Sequence, residues 1–283
     1  MVKGREHSWE GHLRMAVVVV AGAVALAACD QKPPQVPETQ VASVRALMRG
    51  LASPACAERQ RAALDSLDIL DTSADAIPLL ERELRAAPPD VQRRGRLLAD
   101  NANRFIQMRR EGGHLHRLLQ AVDRAREGSE AEQKVRVDRL VEDLMKLARD
   151  RSQDPFDRYL TISTIWALWG QGSSGTSHTA DLPPQILDLL RHPDPDIRGV
   201  AAATVGRAER LPEDQERILI GGLIEALSHP DFGTRLKALH DLRQRTGQEF
   251  CVDPMDEEGQ REAEIGRWRE WWGLSLPKIP SGL

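Results

Sequence analysis

The chain has 283 residues, with 39 Lys and Arg against 43 Asp and Glu and a formal net charge of −4 at pH 7. That balance excludes broad capture of nucleic-acid backbones, which needs a clear basic excess. Three cysteines in this length exclude a disulfide-dense scaffold.

At the front, Met15–Ala28 reads MAVVVVAGAVALAA and stops at Cys29. The run makes roughly 21 Å of helix at ~1.5 Å per residue, short of the ~30 Å hydrocarbon core of a bilayer. Lys3, Arg5 and Arg14 precede it and small residues lead into Cys29, the three-part pattern of a secretory signal. Leu26-Ala27-Ala28-Cys29 resembles the lipobox of bacterial lipoproteins. The resemblance implies cleavage after Ala28, removal of residues 1–28, a diacylglycerol thioether on Cys29 and an acyl chain, such as palmitate, on the new amine. Each buried methylene contributes ~0.8 kcal/mol, so two or three chains anchor stably. The expected location is the bacterial cell membrane, facing the periplasm or the exterior. Asp30 matches an inner-membrane retention signal of some Gram-negative lipoproteins, but inner and outer membrane both stay open. Three basic and two acidic residues precede Cys29, so the remainder carries a net charge of −5. Residues 29–40 contain three prolines and no apolar period, and are expected to form an extended tether.

From Val41 onward the pattern is helical. Val137, Leu140, Val141, Leu144 and Ala148 form one apolar face, with Arg136, Arg139, Glu142, Asp143 and Lys146 opposite. No alternating run with hairpin turns competes, so strands are not expected. Segments repeat: ILDLLRHPDPDIRGVAAATVG (186–206) aligns with LIEALSHPDFGTRLKALHDL (223–242), superposing Asp194 on Asp231 and Arg198 on Arg235, 37 residues apart. Asp154 with Arg158 and Asp90 with Arg94 keep the same spacing, and Arg59 stands alone in a similar stretch. An Asp there caps the following helix and suits its positive dipole end. This pattern resembles HEAT repeats. The resemblance implies an all-α solenoid of helical hairpins over residues 41–273, with each Arg reaching an Asp of the adjoining repeat. About five pairs are expected, at 41–70, 74–110, 114–169, 183–209 and 214–246, the third irregular. Residues 170–180 read as a flexible insertion and 274–283 as a tail. In such a linear array Cys56 and Cys251 lie at opposite ends, beyond the ~7 Å that a bridge allows, so two unpaired thiols are expected.

The closing stretch, Thr246-Gly247-Gln248, Phe250, Asp253-Pro254, then Trp268 and Trp271, resembles the tail of many bacterial HEAT-repeat proteins. Trp268, Trp271 and Trp272 share a helical face and are expected to cap the last repeat.

No catalytic constellation stands out, and a non-enzymatic chain without metal or cofactor, apart from the lipid on Cys29, is expected. His114 and His116 point apart on a helix and do not chelate one ion. His192 and His229 close successive helices, where a cation meets free carbonyls. Residues 82–126 hold eleven arginines against five acids, whereas 253–264 hold six acids and one arginine. Arg93, Arg96 and Arg104 lie on a polar helix face and are the candidate partner-binding residues, against the plainer reading of a solvated face. Stacked helical pairs present long surfaces that usually bind proteins. The expected function is therefore a membrane-anchored protein-binding scaffold. The alternatives are an enzyme akin to the HEAT-like bilin lyases, or a structural spacer of the envelope.

Overall fold

The computed structural model describes residues 37–71, 76–109, 112–172, 181–208 and 211–275. The described residues are all-helical, with neighbouring helices packed in succession as in an α-solenoid. In chain order the helices are α1 (Glu38–Leu51), α2 (Cys56–Asp71), α3 (Ala76–Leu84), α4 (Pro89–Arg109), α5 (His114–Ala125) and α6 (Glu130–Arg149). They continue with α7 (Pro155–Gly172), α8 (Pro184–Leu190), α9 (Pro195–Val205), α10 (Glu213–Ala226), α11 (Phe232–Thr246) and α12 (Glu258–Ser275). Three helix ends differ from the sequence expectation, one of them that of α12, which runs through Ser275 into the expected tail. Glu38, Thr39 and Gln40, assigned to the tether, belong to α1, because Pro37 suits the position just before a helix and Glu38 favours its first turn. Likewise α7 runs through residues 170–172, the start of the expected insertion. Residues 173–180 and the terminal 276–283 lie outside the described residues, as do residues 1–36 with Ala28 and Cys29.

Local chemistry sets the helix starts. Asp194 and Asp231 are N-caps: Asp194 accepts the Asp196 N–H at 3.1 Å, and Asp231 accepts the Thr234 N–H at 2.8 Å. Asp154 accepts the Phe156 N–H at 2.9 Å. Asp90 does not cap, since Pro89 already opens α4 and Asp90 stands inside its first turn. It pairs instead with Arg94, one turn on, at 3.1 Å. At the other end of α11, Gly247 adopts φ +66°, a left-handed conformation that glycine takes without a Cβ clash.

The apolar interior falls into two cores. The larger is built from α5 to α12, with Leu144, Ile162, Ile186, Ile197, Leu219, Leu239 and Trp268 at its centre. The smaller is built from α1 to α4 around Leu51, Leu80 and Leu98, and it takes in Phe232 and Leu236 of α11 together with Met255. Helix α11 thus serves both cores from opposite sides, touching α7, α9 and α10 as well as α2 and α4.

The ends of the array therefore meet. Cys56, the first residue of α2, is bonded to Cys251, just after α11, across 195 residues. The expectation of two separated thiols is wrong. It assumed a straight stack, whereas α2 and α4 lie against α11. Closing so long a loop removes chain entropy from the unfolded state, on the order of 5 kcal/mol in the loop-entropy account.

Candidate interaction surface

The predicted Asp and Arg residues gather along the edge where paired helices turn. Their bonding differs from the expected Asp–Arg ladder. Arg198 donates to the carbonyls of His192 (2.6 Å) and Pro193 (2.9 Å), and Arg235 donates to those of His229 (2.7 Å) and Pro230 (2.7 Å). Arg59 does the same for Ser53 (3.2 Å) and Pro54 (2.8 Å), and Arg158 reaches the carbonyl of Asp150 at 2.8 Å. Each arginine ties down the carbonyls that its own turn leaves free. Only after that do the arginines reach across. Arg198 meets Glu225 of α10 at 2.9 Å, Arg59 meets Asp253 at 2.5 Å and Asp256 at 3.2 Å, and Arg94 meets Asp256 at 3.4 Å. Burial lowers the Arg235 pKa to about 10, leaving a cation at neutral pH.

The capping aspartates draw their cations from elsewhere. Arg151 pairs with Asp194, while Arg104 of α4 binds Asp231 at 2.7 Å and also Asp154. Burial pushes the Asp231 carboxyl up, but the Thr234 amide and Arg104 outweigh it and hold the group below the ordinary carboxylate range.

This network bears on the candidate partner-binding arginines. Arg104 spends its guanidinium on two helix caps, and Arg93 donates to the Met255 carbonyl at 2.6 Å. Arg96 stays exposed, bonded to Gln92 at 3.2 Å. The basic stretch around α4 and the acidic stretch after α11, each conspicuous in the sequence, meet each other. That contact is the seam of the closed array.

Histidines 192 and 229 are held in a way that differs from the expectation. Their Nδ1 atoms accept the backbone N–H groups of Asp194 (3.1 Å) and Asp231 (3.0 Å). A ring nitrogen that accepts carries no proton, so both rings are neutral acceptors rather than cations at helix ends. Burial lowers both pKa values further. His114 approaches the Thr161 hydroxyl at 3.3 Å, and His116 turns to Gln120 at 2.9 Å. Among the described residues no cluster of three or more His, Cys, Asp or Glu is arranged to hold a metal ion.

Two features had no clear sequence signal. Asp241 is fully buried, bound by Lys237 at 2.7 Å and His240 at 3.0 Å with Arg207 at 3.5 Å, and packed so closely on Gly206 that a Cβ there would sit 2.2 Å from its Oδ2. Burial raises its carboxyl and the His240 and Lys237 contacts lower it, with a net shift downward. Only the Lys237-to-Asp241 spacing of one turn hinted at the pair.

The second is a cleft of about 910 Å³ between α6, α7 and α8, lined by Val137, Val141, Met145, Ile165 and Leu168 with charged residues at the rim. Its origin is a difference in length. Helix α8 has 7 residues, roughly 10 Å, against 20 residues and roughly 30 Å in α6. Val137, Val141 and Met145 repeat every four residues along α6, a continuous apolar stripe. Asp138 and Glu142 stand at one end of the α6 side of the rim, and Lys146 and Arg149 at the other, where Lys146 pairs with Asp143 at 2.8 Å and Arg149 faces Asp188 of α8 at 3.8 Å. Val135 of α6, on the side of Asp138 and Glu142, is 63% exposed.

At the end of the chain Trp268 is fully buried, packed edge-on to Phe250 at 5.1 Å and to Trp271 at 5.9 Å. Trp271 lies 5.9 Å from Trp272, so the three tryptophans form one cluster on the side of α12 that faces α10. None of the described helices is long and apolar enough to cross a membrane. Comparison with known protein families, curated proteins and solved structures found no match to this chain.

Proposed function

We propose that the protein is a lipid-anchored, extracytoplasmic HEAT-like scaffold that binds an amphipathic helix of a partner protein in the α6–α7–α8 cleft. The cleft carries this reading. Its apolar floor repeats at helical spacing, and the flexible Met145 side chain adapts to a ridge of partner side chains. The charges on the α6 side of the rim favour one orientation. A partner helix lying antiparallel to α6 places its first turn beside Lys146 and Arg149 and its last beside Asp138 and Glu142. Acids in its first turn and bases in its last then satisfy both the rim and the partner's own dipole.

Export and lipidation rest on the Leu26–Cys29 junction, and the Cys56–Cys251 bond supports export, because such bonds persist in oxidising compartments. The recurrent Asp caps and turn-locking arginines support the HEAT-like assignment. The Trp268 cluster on α10 supports α12 as the cap of the last repeat. Arg93 and Arg104 act within the fold on this reading, and recognition shifts from the basic stretch to the cleft.

A labelled helical peptide with acids in its first turn and bases in its last tests the assignment. It should bind the mature protein and lose at least about tenfold in affinity to Val141→Lys with Met145→Lys, since two buried charges replace an apolar floor. A peptide of reversed charge order should bind more weakly. Equal binding to wild type and double variant would sink the cleft as the site. Separately, Cys29→Ala should yield a chain without lipid by mass spectrometry.

A further inference from the structure

We propose that the Cys56–Cys251 disulfide is an exchangeable clasp, attacked at Cys251 Sγ with Cys56 as leaving thiolate, whose reduction frees the first helical block from the last. The two sulfurs are placed unequally. Cys56 is the first residue of the 16-residue α2, at the positive end of its dipole, which stabilises a negative sulfur. Cys251 sits in the irregular segment between α11 and α12, with no helix end behind it. Thiol exchange proceeds faster when the departing sulfur is the better thiolate, which selects Cys56 to leave and Cys251 to be attacked. Both residues keep part of their surface in solvent, so an external thiolate has access.

The step balances with a dithiol reductant. Its thiolate bonds to Cys251 Sγ as the Cys56–Cys251 bond breaks, and the bond pair leaves on Cys56. The second thiol of the reductant loses its proton to water and attacks the reductant's own sulfur, expelling the Cys251 thiolate. Two electrons pass to the protein, both cysteines take protons from water, and the reductant ends as a disulfide.

What remains at the seam explains why the bond matters. The apolar link is Phe232, Leu236 and Met255 against the first core. Otherwise the seam is held by Arg59 with Asp253 and Asp256, Arg94 with Asp256, Arg104 with Asp231, Arg93 donating to the Met255 carbonyl at 2.6 Å, and Arg243 donating to Gln60 at 3.3 Å. A cleft of about 370 Å³ already opens there, lined by Arg61, Leu64, His240, Arg243 and Gln248 among others.

Hydrogen exchange on the mature protein, oxidised or treated with dithiothreitol, tests the clasp. Reduction should speed exchange at residues 56–71 and 248–257 by about tenfold or more and leave α6 to α9 unchanged. Unchanged protection, resistance to reduction, or an equal rise through α6 to α9 would each overturn it. Brief exposure to glutathione followed by acid quench tests the asymmetry. Glutathione should be found on Cys251 in at least about threefold excess over Cys56. Equal or reversed labelling would overturn the assignment of the leaving sulfur.

Discussion

The two cores of this molecule are held to their surroundings by different means. The larger, from α5 to α12, is a stack in which each helical pair lies on the next, and its turns are locked by Asp194, Asp231, Arg198 and Arg235. The smaller, from α1 to α4, reaches the rest through α4 into α5 and across the seam to α11. Continuous packing distributes stability, so losing one contact is shared among neighbours. A seam concentrates it in a bond, a few apolar residues and a charge cluster.

The largest expected effect comes from the bond. Cys56→Ser should lower stability by about 5 kcal/mol by the loop-entropy account, read as a fall in denaturant midpoint with an unchanged slope. A midpoint within error of wild type would mean that the closed loop is already compact when unfolded.

Leu236 and Leu239 sharpen the contrast, because both lie on α11 and are buried, one in each core. Either change to Ala should cost about 3 kcal/mol in the oxidised protein. In the reduced protein, Leu239→Ala should still lower the global midpoint, whereas Leu236→Ala should act mainly on local exchange at the seam. Identical behaviour of the two variants would erase the distinction between stack and seam.

The charge cluster comes next. Asp253 is fully buried and pairs with Arg59, which is 11% exposed, so Asp253→Asn should cost about 3 kcal/mol by leaving a cation short of its partner. Arg104→Gln should cost about 1 kcal/mol, since its guanidinium is 41% exposed and solvent screens its pairs with Asp154 and Asp231.

The smallest effect is one of pH. His229 and His192 have folded pKa values below the ordinary 6.5, first through burial. Between that lowered value and about 6.5 the unfolded chain binds the proton first. Stability is therefore complete above about pH 6.5 and declines as the pH falls below it. His229→Gln should flatten part of that slope in denaturant titrations, and an unaltered slope would remove His229 as its source.

Much of this was legible from sequence, and the exceptions are physical. Apolar spacing located the helices, and the Asp of each turn was readable as a cap at Asp154, Asp194 and Asp231, because capping depends on a few consecutive residues. Asp90 failed by one position, Pro89 having already opened the helix. The arginines satisfy nearby carbonyls before distant carboxylates, which spacing alone does not reveal. His192 and His229 accept rather than donate, a consequence of ring orientation. Closure was hidden because it depends on packing between helices far apart in the chain, which local spacing does not carry. Its only traces were two opposite charge runs and two cysteines read as unrelated. The cleft along α6 arises from the shortness of α8, which is written in Pro183, Pro184 and His192-Pro193, but its depth depends on three helices at once.

Peptide mapping of the protein under non-reducing conditions, with free thiols alkylated at the moment of lysis, bears most directly on the closed array. A peptide pair joined through Cys56 and Cys251 is the predicted result. Recovery of both cysteines in alkylated form, without the joined pair, would contradict the Cys56–Cys251 bond.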